Sequence, residues 1–324
     1  MNDLAISNPY FGSYGAALPA LISGAGKQAA CRFIEFFTVN IRNPHTRAAY
    51  GRAAALFLQW CEARGLVELA SIQPVHVAAY IEQLQRERSA PTVKQHLACI
   101  RILFDWLVTG QVIASNPAHS VRGPRYSVSK GSTPVLTSEE ARDLLQGMDI
   151  SNMVRLRDRA IIAVMAYTFA RVSAVVALKG EDYFFQKKRW WLRLHEKNGK
   201  VNDMPCHHRL EQYLDAYMIA AGITEERKEP LFRAALGKTR KLSNRPLSRN
   251  DVWHMVRRRA ADAGIETVIG CHTFLATGIT DYLTNGGRIE IAQRMAGHSN
   301  AKTTGLYDRR NDDIQIGEIE RIGF

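Results

Sequence analysis

From Thr46 onward the chain repeats apolar positions with a helical period. Tyr50, Ala53, Phe57 and Trp60 recur at three- and four-residue steps, with Ala54 and Cys61 beside them. Gly65 ends that run. A second helix is predicted after Pro74, in "VHVAAYIEQLQRE". A third opens at Pro91, where a missing N–H costs nothing, and carries the stripe Val93, Leu97, Ile100, Phe104 and Leu107 up to Gly110. These runs predict an all-helical domain over 27–121. Residues 1–26 are rich in Gly, Ala and Ser without a clear period and read as a flexible arm.

Periodicity then breaks in "SNPAHSVRGPRYSVSKGSTPVLTSEE", which predicts a basic linker over 122–136 and a second domain over 137–324. Thr137 followed by Glu140 is a capping box. Helices are predicted at 138–147, 153–169, 207–221, 249–263, 276–284 and 289–296. Alternating Trp190, Leu192 and Leu194 before Asn198-Gly199 predict a hairpin with a two-residue turn. The fold class expected is therefore mostly α in two domains, the second a mixed α/β domain with a small antiparallel sheet.

Composition changes the picture in one respect. A length of 324 residues suits two domains, and 46% apolar with 23% charged residues is ordinary for a globular chain. The net charge of +12 is not ordinary. Residues 27–122 carry 11 Lys/Arg against 6 Asp/Glu, and residues 123–324 carry 32 against 24. An excess shared by both halves fits a polyanion touching both; a basic protein with no nucleic acid partner stays open on charge alone. Lys94 and Arg101 on the first domain, and Arg122, Arg125 and Lys130 in the linker, are candidate phosphate-backbone contacts. The plainer readings are a solvated helix face and a simple hinge.

The five cysteines are odd in number and form no CxxC pair, so neither a disulfide framework nor a zinc site is expected. The Met-Asn-Asp start has no basic region typical of a signal peptide. "AIIAVMAYTFARVSAVVAL" (160–178) is nearly long enough to span a bilayer, but Arg171 interrupts it. It reads as a buried helix delivering an arginine to a site, not a membrane span. A reducing, cytoplasmic location is the expectation.

Candidate chemistry gathers around "AGHSNAKTTGLYDRR", where His298 precedes Tyr307 by nine residues. A tyrosine hydroxyl with a pKa near 10 attacks a phosphodiester only with help. Cations must hold the non-bridging oxygens, a partner must relieve the phenol of its proton, and an acid must protonate the leaving oxygen. Arg171, Lys197 at the lip of the hairpin, His272 and His298 are the candidates for those tasks. Each alone is weak: a lone histidine is more often structural, an interrupting arginine is often a buried ion pair, and a tyrosine is usually a packing residue.

Their order and spacing carry more. The stretches "FARVSAVVALKGED", "HEKNGKVNDMP", "HTFLATGITDYL" and "RMAGHSNAKTTGLYDRR" resemble the tyrosine recombinase (phage integrase) family. In the front half, "TRAAYGRAAALFLQWC" and "APTVKQHLACIRILFDWLVTGQVIASNPA" look like that family's helical, SAM-like core-binding domain, so the likeness covers roughly residues 28–310. The resemblance implies that Tyr307 attacks the scissile phosphate to give a 3′-phosphotyrosine and a free 5′ hydroxyl. It implies that Arg171 clamps the phosphate, Lys197 protonates the 5′ oxygen, and His272 and His298 hydrogen-bond the phosphate and assist proton movement. It implies no metal and no other cofactor. The partner implied is double-stranded DNA, held in a two-domain clamp, with a dimer per site and a tetramer in the synapse.

One position departs from the family pattern. The fourth residue of His-x-x-Arg, position 275, is leucine, while the flanking text is intact. Leucine donates no hydrogen bond and neutralises no oxyanion. Three readings stay open: a recombinase carrying an inactivating change, a recombinase in which another cation such as Arg294 fills the gap, or a DNA-binding partner of an active relative. A smaller departure is Ala174, where many relatives carry an acid that steadies the first arginine. A rival from another class, a helical DNA-binding regulator without chemistry, explains the charge but not the ordered Arg, Lys, His, His and Tyr.

Overall fold

The computed structural model describes residues 18–128, 131–196 and 199–309. The chain divides into two compact units, Met1–Ser127 and Val128–Phe324. The division falls inside the stretch read as a linker.

The first unit is helical. α1 (Ala20–Gly24), α2 (Gly26–Glu35) with a π-helical turn to Asn40, α3 (Pro44–Glu62), α4 (Pro74–Glu87) and α5 (Ala90–Thr109) enclose one apolar core. Asn43 caps α3 by accepting from the amides of His45 at 2.9 Å and Thr46 at 3.2 Å, and Pro44 sits in the first turn. The predicted stripe of α5 is buried throughout, from Val93 to Leu107. Phe57 meets Tyr80 and Phe104 edge to face, which ties α3 to α4 and α5.

The arm expected over 1–26 is corrected in its described part. Leu21 and Ile22 are buried in this core, and the Leu21 amide donates to Glu62 Oε1 at 3.0 Å. A short apolar pair was enough to dock a helix that showed no period of its own. After α5, Asn116 is a hub. Its Nδ2 donates to the Arg101 carbonyl at 2.9 Å and to Asp105 at 2.7 Å, while its Oδ1 accepts from the Ala118 amide at 2.8 Å.

In the second unit, α6 (Ser138–Gln146) starts at the expected box. The Glu140 amide donates to Thr137 Oγ1 at 3.1 Å, and the Thr137 amide to Glu140 Oε2 at 2.8 Å. α7 (Met153–Thr168) follows, with α8 (Val172–Val176) just beyond it. Strands β1 (Tyr183–Gln186), β2 (Arg189–His195) and β3 (Val201–Pro205) form an antiparallel sheet in that order, with Leu192 facing Tyr183 and Met204. Leu192 and Leu194 point into the core, as their alternation predicted. α9 (His208–Ala221) packs on α7. A second, two-stranded sheet of β4 (Arg233–Ala235) and β5 (Leu242–Pro246) was not expected. α10 (Arg249–Asp262), α11 (Cys271–Thr284), α12 (Ile289–Met295) and α13 (Ala301–Gly305) complete the unit. No helix among the described residues is long and apolar enough to cross a membrane. The 160–178 stretch is split between α7 and α8.

Three local features place the site. Phe169 closes α7 in the left-handed region (φ 57°), so the chain turns sharply before Arg171. Gly278 lets α11 lie directly on α7, because a Cβ there would come within 2.3 Å of the Ala166 carbonyl and 2.7 Å of the Phe169 ring. Residues 131–138 cross over α11: the Leu136 amide donates to Thr277 Oγ1 at 3.0 Å, and Ser138 Oγ to Asp281 at 2.7 Å. The same stretch meets the segment after α13, where Arg309 donates to the carbonyls of Gly131 and Thr133.

Candidate active site

Arg171 stands at the N-terminal edge of α8 with its side chain 31% exposed. Its Nη1 donates to Glu196 Oε2 at 3.0 Å and to the Ala296 carbonyl at 3.4 Å. Glu196 follows β2 directly, and its carboxylate is 6% exposed. The first arginine therefore bridges α8, the hairpin and the end of α12.

Just past α12, Gly297 has a φ of 61°, the left-handed conformation that glycine adopts without strain. The Gly297 amide donates to the Arg294 carbonyl at 3.1 Å and the His298 amide to the Gln293 carbonyl at 3.1 Å. This turn puts His298 inside the protein. Its Nδ1 shares a hydrogen bond with Thr304 Oγ1 at 3.0 Å, and its ring stacks on Tyr307 with centroids 5.8 Å apart and planes 18° from parallel. The Tyr307 carbonyl accepts from Thr280 Oγ1 at 2.7 Å, which fixes its backbone to α11.

His272 lies in the first turn of α11. That helix starts five residues before the predicted Ala276, so His272 and Leu275 are helical rather than in a loop. Gly270 supplies the open start, donating to Thr273 Oγ1 at 3.2 Å.

Burial, and after it the charge of Arg171, sets the electrostatics of the two histidines. Burial lowers the His298 pKa to about 4, and the charges of Arg171 and His272 add to the effect. His272 is exposed by area, yet its protein surroundings desolvate it, and with the Arg171 charge they lower its pKa too. His298 is therefore neutral at pH 7. Its depressed pKa makes a stability contribution that is present above the unfolded value of about 6.5 and is lost as pH falls toward 4. Against His298→Gln, the unaltered chain should lose about 2 kcal/mol more stability between pH 7 and pH 4.5. Chemical denaturation at the two pH values measures this, and equal losses would remove His298 as the cause.

Leu275 is 1% exposed. It belongs to a small apolar cluster with Phe169, Ile279, Leu283, Ala292 and Ala296, against which Tyr307 packs. Arg294, the alternative cation, is exposed on α12 and is not among the charges acting on His272 or His298.

The geometry thus brings Arg171, His272, His298 and Tyr307 together, and Tyr307 packs against the apolar cluster that includes Leu275. Lys197 lies outside the described residues. The hairpin before and after it is longer than expected: the Glu196 amide donates to the Lys200 carbonyl at 2.7 Å, leaving three residues between, and Gly199 has φ 74°.

The match to known families follows the same division. Residues 134–313 match the model described as "Phage integrase family", and residues 30–113 match "Phage integrase, N-terminal SAM-like domain". The chain belongs to the phage integrase family. Among curated proteins similar to it, tyrosine recombinase XerD of Corynebacterium glutamicum is 26% identical over 81% of this chain and 86% of the relative. Tyrosine recombinase XerC of Chlamydia muridarum is 28% identical over 70% of this chain and 69% of that one. Solved structures share the fold. A lambda integrase dimer bound to a COC′ core site superposes with a TM-score of 0.67 at 18% identity, covering 89% of this chain and 98% of that chain. XerH site-specific recombinase bound to difH gives 0.66 at 16% identity, over 94% and 97%.

Of the candidate DNA contacts, Lys94, Arg101, Arg122 and Arg125 line one open groove of about 380 Å³ on the first unit, with Leu97 and Pro124 in its wall. Lys94, Arg122 and Arg125 are exposed. Arg101 is different: its guanidinium donates to the Ala118 carbonyl at 3.2 Å and to that of Val121, so it closes the segment after α5 onto the helix. Lys130 lies outside the described residues. Sequence reasoning did not single out Glu196, Thr304 or Asn202, whose Nδ2 donates to the Met295 carbonyl at 3.2 Å. The only signal for Glu196 was an acid beside the hairpin lysine.

Proposed function

We propose that this chain binds double-stranded DNA and is built to cut and rejoin a strand through a 3′-phosphotyrosine at Tyr307, with the chemical step slowed by Leu275. The observation that carries the reading is the arrangement of one arginine charge bearing on two neutral imidazoles, one of which is stacked on the tyrosine. That arrangement suits an anion. A phosphate seated against Arg171 offsets the positive charge that depresses His298 and His272, so both rings become better proton acceptors when substrate arrives.

In the step proposed, the Tyr307 oxygen forms a bond to phosphorus as the bond to the 5′ oxygen breaks. The phenolic proton passes to the histidine side, and Lys197 supplies a proton to the departing oxygen. The ester is exchanged, so its energy is kept for rejoining and no nucleotide is consumed. Arg171 holds the non-bridging oxygens. The helical domain over 27–121 is assigned a DNA-binding role, with Lys94, Arg122 and Arg125 tracking the phosphate backbone. Arg101, committed to carbonyls, is assigned a lesser part. A dimer on each site and a tetramer in the synapse complete the proposal, in line with a lambda integrase tetramer solved on a Holliday junction, which has the same fold. A soluble bacterial setting with access to the chromosome belongs to it as well.

A nicked duplex that traps the covalent product tests the reading. Incubated with the Leu275→Arg variant, it should yield a protein–DNA adduct whose peptide mass maps to Tyr307. Site-bound protein without any adduct would favour the catalytically silent DNA-binding partner instead.

A further inference from the structure

The acid expected to steady Arg171 from its own helix is missing, since position 174 is a buried alanine. Glu196 arrives from another element. Its carboxylate accepts from Arg171 Nη1 at 3.0 Å and lies against Gly297, where an added Cβ would sit 3.7 Å from the Glu196 Cδ. Its backbone closes the hairpin tip through Lys200, and Asn202 ties the far side of the same hairpin to the Met295 carbonyl. A carboxylate this deeply buried persists only if paired, so the contact with Arg171 is a fixed part of the fold rather than a surface encounter. Both observed bonds of the guanidinium use Nη1. That geometry orients the planar fork and leaves Nε and Nη2 to bind an anion.

We propose that Glu196 is the positioning residue for Arg171, and that by joining the end of β2 to the guanidinium it fixes the orientation of the phosphate clamp. The proposal rests on the reading of Arg171 as the phosphate-binding arginine. Removing the partner of an orienting contact typically costs about 10–100-fold in the function it supports.

The test uses the full chain carrying Leu275→Arg, with Glu196→Gln, Glu196→Ala and Glu196→Asp added singly, and the nicked duplex as probe. Positioning predicts adduct formation slowed about 10–100-fold in Glu196→Gln and Glu196→Ala. DNA affinity should be unchanged or tighter, because a negative charge has left the site, and Glu196→Asp should recover part of the rate. Faster adduct formation in Glu196→Gln would overturn the proposal, since the carboxylate would then be competing with the phosphate. Rate, affinity and melting temperature falling together would overturn it as well and leave a purely structural ion pair. Should Leu275→Arg itself give no adduct, the reaction reading fails, and side-chain NMR of Arg171 in the unaltered chain still decides the contact. Separate Nη resonances that merge in Glu196→Gln support it, and an unchanged spectrum overturns it.

Discussion

Leu275→Arg should raise the rate of covalent adduct formation on a nicked cognate duplex by at least about 10²–10³-fold. That is the usual worth of one oxyanion donor, and an arginine at a transferring phosphoryl group reaches about 10³–10⁵. The expectation follows from the charges at the site. Among the described residues, Arg171 is the cation that bears on both histidines, and one of its nitrogens is already committed to Glu196 and the Ala296 carbonyl. Both imidazoles are held toward their neutral forms, so they add hydrogen bonds but little charge. A phosphate passing through a pentavalent arrangement builds charge on two non-bridging oxygens, and one guanidinium edge does not cover both. The same substitution has a cost without DNA. Position 275 is sealed among Phe169, Ile279 and Ala292, so the new charge must reach past Tyr307 toward the cleft or remain buried and unpaired. The variant should therefore melt lower than the unaltered chain when free and regain stability when bound. Adduct formation is read by gel shift under denaturing conditions, and melting by calorimetry with and without duplex. Equal adduct rates for the two proteins would end the idea that Leu275 limits the chemistry, and would demand another cation at the phosphate. Arg294, exposed on α12, does not supply it from where it stands.

How far the sequence led depends on whether its signals were local. The α3, α5 and α6 assignments rested on stripes or a cap within a few residues, and Ala53, Phe57 and Cys61, Val93 to Leu107, and Thr137 with Glu140 act as such patterns require. α11 was predicted five residues short because its start is a glycine, and the stabilising hydroxyl of Thr273 lies inside the helix rather than before it. β4 and β5 are short and largely polar, so no alternation marked them. Arg101 looked like a surface cation because its acceptors are two carbonyls 17 and 20 residues away, in a segment without period. At the site, the nine-residue interval from His298 to Tyr307 was visible, and α13 is what turns it into a ring stack. Glu196 was out of reach. Its partner lies 25 residues earlier, and only the crossing of β2 beside α8 brings the two together.

Asp158→Ala should destabilise the protein by about 3–5 kcal/mol, the range for removing one partner of a buried ion pair. Asp158 is fully buried, and both its oxygens are used. Oδ1 accepts from Arg157 Nε at 3.1 Å and Nη2 at 2.7 Å, and Oδ2 from Arg259 Nε at 3.0 Å. Arg157 passes the network on to the Arg233 carbonyl at 2.6 Å, and Arg259 to Asp262 at 2.5 Å. One carboxylate thus balances two enclosed guanidinium groups and joins α7, α10 and β4. Alanine leaves Arg157 desolvated with only the Arg233 carbonyl, and Arg259 with only the partly exposed Asp262, which is why the loss exceeds that of any single hydrogen bond. Asp149, paired with Arg155 at 3.2 Å but half exposed, gives the control: its removal should cost far less. Denaturant titration of the two variants measures the difference, and a loss at Asp158 as small as that at Asp149 would show that the surrounding dipoles already solvate both arginines. The effect bears on function because α7 carries Arg171 just beyond its far end. A helix whose first turns are pinned by this network delivers that guanidinium to one place, and a partial loss of the network should loosen Arg171 before the domain unfolds. Replacing Asp158, Arg157 and Arg259 together with apolar residues of similar size should recover much of the stability, because no charge is then left without a partner.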